Sequence, residues 1–260
     1  MLTQLAGDTL ALLANNWFLL AILALIFWVV DKHIGFRMLV VFALTLYVHG
    51  LIAFTLAPDT SSLSQQGFNF PAGSVQITTA VWGYLVPEIR DRRFTLIAIG
   101  VILLTSFLSY YYTGHSLQDI AAALFIGLFI LYVVYRSLDW IGSVPEPIIF
   151  SFSLVLPSAM LLIYPEGAPH AGLLLGVGAG HSMEQLKVRM ITAEKEIKRA
   201  FSGLLGVVGL LFIIYIGGLL PETLVIHFLY TGFLGLWITI LQPLLASKMG
   251  LCEQEGHSRV

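Results

Sequence analysis

The chain has 260 residues, of which 58% are hydrophobic and only 11% charged, with a net charge of -2 at pH 7. A soluble domain carries about twice that charged fraction, so a soluble globular fold is excluded, as is a basic protein built to hold nucleic acid. The single cysteine, Cys252, leaves no internal disulfide to be made.

Taken in order, the apolar runs predict nine membrane helices, at roughly 10–30, 38–57, 71–88, 94–112, 116–136, 148–164, 170–186, 201–220 and 223–246. The first run has no basic segment before it and is long enough to span, so it reads as a membrane helix and not as a cleaved leader. The third is diluted by Gln76, Thr78 and Thr79, which a bundle can bury. Lys32 and Arg37 follow the first run, and Arg90, Arg92 and Arg93 the third. Arg136 follows the fifth, the series from Lys187 to Arg199 the seventh, and Lys248 and Arg259 the ninth. The even-numbered connections and the N-terminus hold no lysine or arginine. By the positive-inside rule this places the N-terminus outside and the C-terminus inside. The fold class expected is therefore all-α, a polytopic transmembrane bundle. Its parts are a helical membrane bundle over 1–144, additional membrane helices over 145–247 and a cytoplasmic tail over 248–260.

Span seven carries Gly172, Gly176 and Gly180, two overlapping G-x-x-x-G steps that let another helix approach closely. The charged run behind it, Lys187 to Arg199, is most simply the basic inner loop, with contact to anionic lipid head groups the lesser reading. Tyr110, Tyr111 and Tyr112 have the composition of an interfacial aromatic belt. His170 and His227 read as interfacial. His181 falls towards the inner half of its span, and no metal-ligand spacing emerges from the histidines.

The polar residues that remain lie at the outer ends of the helices. His115 and Asp119 stand four positions apart at the mouth of span five, where ionisable groups default to functional candidates. Ser116-x-x-Asp119 equally fits a helix capping box. Gly73 and Ser74 open span three, Ser109 closes span four, and His49 lies in the outer half of span two.

The order of these segments resembles the type 2 phosphatidic acid phosphatase family, the lipid phosphate phosphatases related to vanadium haloperoxidases. That family carries K-x6-R-P, then P-S-G-H, then S-R-x5-H-x3-D. Here Leu56-Ala57-Pro58 resembles the end of the first motif, and Phe70-Pro71-Ala72-Gly73-Ser74 the second. Ser109-Tyr-Tyr-Tyr-Thr-Gly-His115-Ser-Leu-Gln-Asp119 resembles the third, and Asp31-Lys32-His33-Ile34-Gly35 the family's cytoplasmic turn. The resemblance implies His115 as nucleophile on phosphorus and Asp119 as the group that orients it. It also implies substrate contacts from Ser74, Gly73, Ser109 and His49.

The same comparison exposes losses. The family's lysine falls on Gly50, its two arginines on Ala57 and Ser109, and its acid histidine on Ser74. Phosphoryl transfer depends on positioned cations, and a serine hydroxyl is too weak an acid to replace the histidine. The expectation is a degenerate member in the plasma membrane of a bacterium, its pocket facing outward, with weak or absent phosphatase activity. Its expected partner is a membrane lipid, including a lipid phosphate, with no cofactor and no metal. An active phosphatase of lipid phosphates or isoprenyl diphosphates using His115 and Asp119 is the first alternative. A transporter or channel on the same bundle is the second.

Overall fold

The computed structural model describes residues 15–56, 70–141, 146–193 and 195–254. Among them run nine helices: α1 (Asn16–Val30), α2 (Lys32–Leu56), α3 (Gly73–Ile89), α4 (Arg92–Tyr112), α5 (Leu117–Ile141), α6 (Glu146–Ile163), α7 (Ala168–Lys187), α8 (Glu196–Gly217) and α9 (Leu224–Lys248). Each occupies one of the nine apolar runs of the sequence. Five of them, α2, α4, α5, α8 and α9, are long and apolar enough to cross a membrane. The others are shorter, or, like α7, are diluted by polar side chains. Residues 10–14 of the first expected span, the first-motif positions Ala57 and Pro58, and Arg259 lie outside the described residues.

Local chemistry sets the helix starts. The Asn15 side chain accepts hydrogen bonds from the amides of Trp17 and Phe18. Asp31 accepts from His33 and Ile34 at 2.7 and 3.0 Å, and Asp91 accepts from Arg93 at 3.0 Å. Each fills orphan donors of a first turn. Polarity is inverted relative to a soluble protein. Leu96, Leu103, Phe107, Phe125, Val208 and Phe212 face outward, while Thr45, Gln76, Thr105, Ser109, Glu184 and Gln242 are fully buried. That inversion is what a hydrocarbon solvent selects, because polar groups must be satisfied within the protein.

The described residues divide into two compact units, one within 1–19 and 44–138, the other within 20–43 and 139–260. In the first, the C-terminal half of α2 joins α3, α4 and α5. Gly127 on α5 lies where a Cβ would meet the Gln76 carbonyl oxygen at 2.9 Å and Thr79 at 3.0 Å, so α3 and α5 pack nearly backbone to backbone. Ala72, Val75, Ile120 and Ala123 form a small apolar core at the start of both helices.

The second unit is built on close helix contacts. Gly172, Gly176 and Gly180 of α7 lie against Phe228, Gly232 and Thr239 of α9, and a Cβ on Gly235 would meet backbone of α7 at 2.6–2.8 Å. The G-x-x-x-G reading is therefore realised, with α9 as the partner. A second glycine stripe, Gly203, Gly206 and Gly209 on α8, accommodates Val29, Trp28 and Trp237. Trp28 lies in a π-turn of α1, and its indole N–H donates to the Ile238 carbonyl of a second π-turn in α9 at 2.8 Å. Met190–Ile191 pairs with Glu253–Gln254 in a two-stranded antiparallel ribbon.

The segment Asp31 to Gly35 turns the chain between α1 and α2. Gly35 lies directly on the Phe27 backbone, where any Cβ would collide. Lys32 reaches the fully buried Glu184, with Nζ 3.2 Å from Oε1. Glu184 Oε1 also accepts from the Met190 amide at 2.6 Å, so one carboxylate ties α2 to the ribbon that follows α7. His181 stacks on Phe36 with ring centroids 3.9 Å apart.

Candidate functional site

The first unit gathers its polar side chains where α3 and α5 begin and α4 ends. The Ala72 amide points at the Asp119 carbonyl at 3.5 Å, which joins the starts of α3 and α5. Ser74, in the first turn of α3, lies with its hydroxyl 3.4 Å from that of Ser109 near the end of α4. Ser109 in turn contacts Thr113, hydroxyl to hydroxyl at 3.2 Å, and Thr113 donates to the Ser109 carbonyl at 2.6 Å. Three hydroxyls thus form a continuous neutral chain beside the loop that carries His115.

His49 approaches from α2. A Cβ on Gly73 would stand 2.9 Å from both Cε1 and Nε2 of its ring, so glycine at this position is what lets the imidazole lie over the start of α3. Gln76, one turn on, lies beside the same ring, and His115 is within electrostatic reach of it. The Gln76 amide donates to the Thr45 carbonyl at 3.3 Å. Its Oε1 has no well-aligned donor although the His49 ring lies in hydrogen-bond reach of the Gln76 side chain, and Nδ1 of both His49 and His115 is buried without a partner.

Asp119 is engaged elsewhere. Its Oδ2 accepts from the Ser116 amide at 2.7 Å and the Ser116 hydroxyl at 2.8 Å, and its own amide donates back to the Ser116 hydroxyl at 3.2 Å. This is the reciprocal capping box written in the sequence. The carboxylate acts on His115 through space. Burial holds the His115 imidazole below its ordinary value, and Asp119 offsets part of that effect. His115 is accordingly neutral at pH 7.

The structure brings together His49, Gly73, Ser74, Ser109, His115 and Asp119. Two participants were not singled out as site residues from the sequence, Gln76 and Thr113. For Gln76 the signal was present, since an amide inside an otherwise apolar run demands a partner. Among the described residues of this unit, no lysine or arginine lies near. Arg90 caps the far end of α3, 16 positions after Ser74, and Ser109 follows Arg93 by 16 on α4, a rise of about 24 Å in each case. Arg136 stands 17 positions beyond Asp119, about 26 Å along α5.

Many apolar helices, outward-facing hydrophobic side chains and an internal polar cluster define an integral membrane protein of the helical class. Residues 168–255 match the family model of the PAP2 superfamily phosphatase transmembrane extension. That match supports membership of the PAP2 superfamily. The matched segment runs from α7 to the closing strand and lies in the second unit, whereas the motif resemblance rests on the first. The comparisons with curated proteins and with solved structures give no match.

Proposed function

We propose that this is a PAP2-superfamily membrane protein that keeps the family pocket, on the outer side of the membrane, and has lost most of its catalysis. On this reading it binds a membrane lipid through His49, Gly73, Ser74, Ser109 and His115. The observation that carries it is the distance of every cation of the first unit from His115. A phosphoryl group brings up to two negative charges, and its transition state is held mainly by positioned positive groups. Each missing donor costs about 10²–10³ in rate, and such losses are not additive. Neutral hydroxyls of Ser74 and Ser109 occupy two of the positions concerned.

The capping role of Asp119 supports the same reading. Its Oδ2 is committed to Ser116, and the His115 Nδ1 that an orienting carboxylate would hold takes no hydrogen bond. The test is phosphate release by the full-length protein in detergent, from phosphatidate and from an isoprenyl diphosphate. Release should not exceed that of His115→Ala. Release well above that control, lost in His115→Ala, overturns the proposal in favour of an active phosphatase.

A further inference from the structure

We propose that the pocket around His49 and His115 takes the head of a lipid alcohol, a single hydroxyl on a long apolar chain, in preference to a phosphate ester. The inference rests on the reading above that the site binds lipid without hydrolysing it, and it names the class of lipid.

Charge is the first reason. The cations of this unit stand at the far ends of α3, α4 and α5, while the Asp119 carboxylate acts on His115 directly. A dianionic head group would lose its hydration and meet a negative charge with nothing to neutralise it, a costly arrangement in a partly dry site. A hydroxyl carries no such penalty.

Hydrogen-bond inventory is the second. Gln76 is fully buried, and its Oε1 can only accept. A phosphate dianion also only accepts, so it brings this oxygen no donor beyond the His49 ring already beside it. A hydroxyl donates one hydrogen bond and accepts others. It can therefore serve the Gln76 oxygen and an imidazole N–H of His49 or His115 together. Both rings have a buried Nδ1 without a partner, and a neutral imidazole offers one donor and one acceptor. The Ser74–Ser109–Thr113 chain is already internally bonded and needs no anion to complete it.

The apolar surroundings supply the third reason. Ala72, Val75, Ile120 and Ala123 lie at the same helix starts. The exposed side chains of α4 and α5, among them Phe107 and Phe125, offer the outer face along which an alkyl chain can lie.

The experiment is equilibrium dialysis with the full-length protein in detergent, using radiolabelled dioctanoylglycerol and the non-hydrolysable phosphonate analogue of dioctanoyl phosphatidate. Dioctanoylglycerol should bind at least about tenfold more tightly. His49→Ala and Gln76→Leu should each weaken it about tenfold, the loss of one buried hydrogen bond. Gln76→Glu keeps an acceptor at the same place, so it should retain alcohol binding and weaken the phosphonate further. It serves as the informative variant if Gln76→Leu does not fold. Equal or tighter binding of the phosphonate overturns this inference and leaves the lipid-pocket reading standing. Dioctanoylglycerol binding that neither His49→Ala nor a folded Gln76→Leu changes overturns it too, as does a Gln76→Glu protein that binds the phosphonate as well as the parent does. Binding of neither probe overturns both. His115-dependent phosphate release, measured separately, overturns the claim of lost catalysis and, with it, this inference.

Discussion

The start of α5 offers the sharpest test of what Asp119 does. Ser116 and Asp119 exchange three hydrogen bonds, two onto the carboxylate at 2.7 and 2.8 Å and one onto the hydroxyl at 3.2 Å. Asp119→Ala removes the two onto the carboxylate and the favourable charge at the helix N-terminus, and leaves the backbone amide's bond to the Ser116 hydroxyl in place. Removing a cap of this kind costs about 0.5–2 kcal/mol, and the dipole contribution is about 0.3–1 kcal/mol. The site is partly exposed, so a total near 2 kcal/mol is expected. Asp119→Asn keeps an acceptor for the Ser116 amide and should cost about 0.5–1 kcal/mol. Ser116→Ala removes the hydroxyl's two bonds and should cost about 1 kcal/mol. Because the two residues satisfy each other, the double mutant should be less destabilised than the sum of the singles, with a coupling energy of about 0.5–1 kcal/mol. The measurement is reversible unfolding in mixed micelles, followed by far-UV circular dichroism. Additive single effects, or a Ser116→Ala protein as stable as the parent, would refute the capping assignment and return Asp119 to the role of orienting His115.

Three other expectations follow from named contacts. Gly176→Ala puts a methyl group into the Gly232 carbonyl across the α7–α9 crossing and should destabilise by about 1–3 kcal/mol. Gly100→Ala on α4, with nothing within 4 Å of the new methyl, should instead stabilise by about 0.5–1 kcal/mol through helix propensity; paired denaturation curves check both. Lys32→Met leaves the buried Glu184 carboxylate without its cation and should cost about 3–5 kcal/mol, most of it recovered when Glu184→Gln is added. A thermal-melt cycle in which the double mutant is no better than Lys32→Met would contradict this. For His115, burial lowers the folded-state value below that of the unfolded chain. The unfolded state therefore binds more protons on acidification, and stability falls as pH drops through the range below the ordinary imidazole value. Chemical unfolding at a series of pH values between about 5 and 7 should show a gentler fall in His115→Gln than in the parent.

How far the sequence carried the structure depends on the kind of interaction. Helix positions were legible because apolar length is local. Runs near twenty residues predict helices whatever lies beside them, and caps such as Asp31, Asp91 and Ser116-x-x-Asp119 need only their own turn. The α7 glycines were legible as a close-packing face, but not their partner. That Gly172, Gly176 and Gly180 meet Phe228, Gly232 and Thr239 depends on contacts more than fifty residues apart. The stripe Gly203, Gly206 and Gly209 went unread, since its meaning comes from Trp28 and Trp237, indoles supplied by other helices. Lys32 and Glu184 likewise read as unrelated charges until the fold joined them.

The sequence by itself determined the solvent of this protein. Its composition admits only a membrane, and the stretches Phe70 to Ser74 and Ser109 to Asp119 carry no lysine or arginine. The tertiary structure alone decided which polar groups share a site. His49 reaches the His115 cluster because Gly73 leaves room for its ring. Asp119 turns to Ser116 because the first turn of α5 has orphan donors to satisfy. Composition and periodicity are additive along the chain, so the sequence displays them. Convergence of side chains is a property of helix crossings, set by where small residues let backbones meet, and only the folded chain displays that.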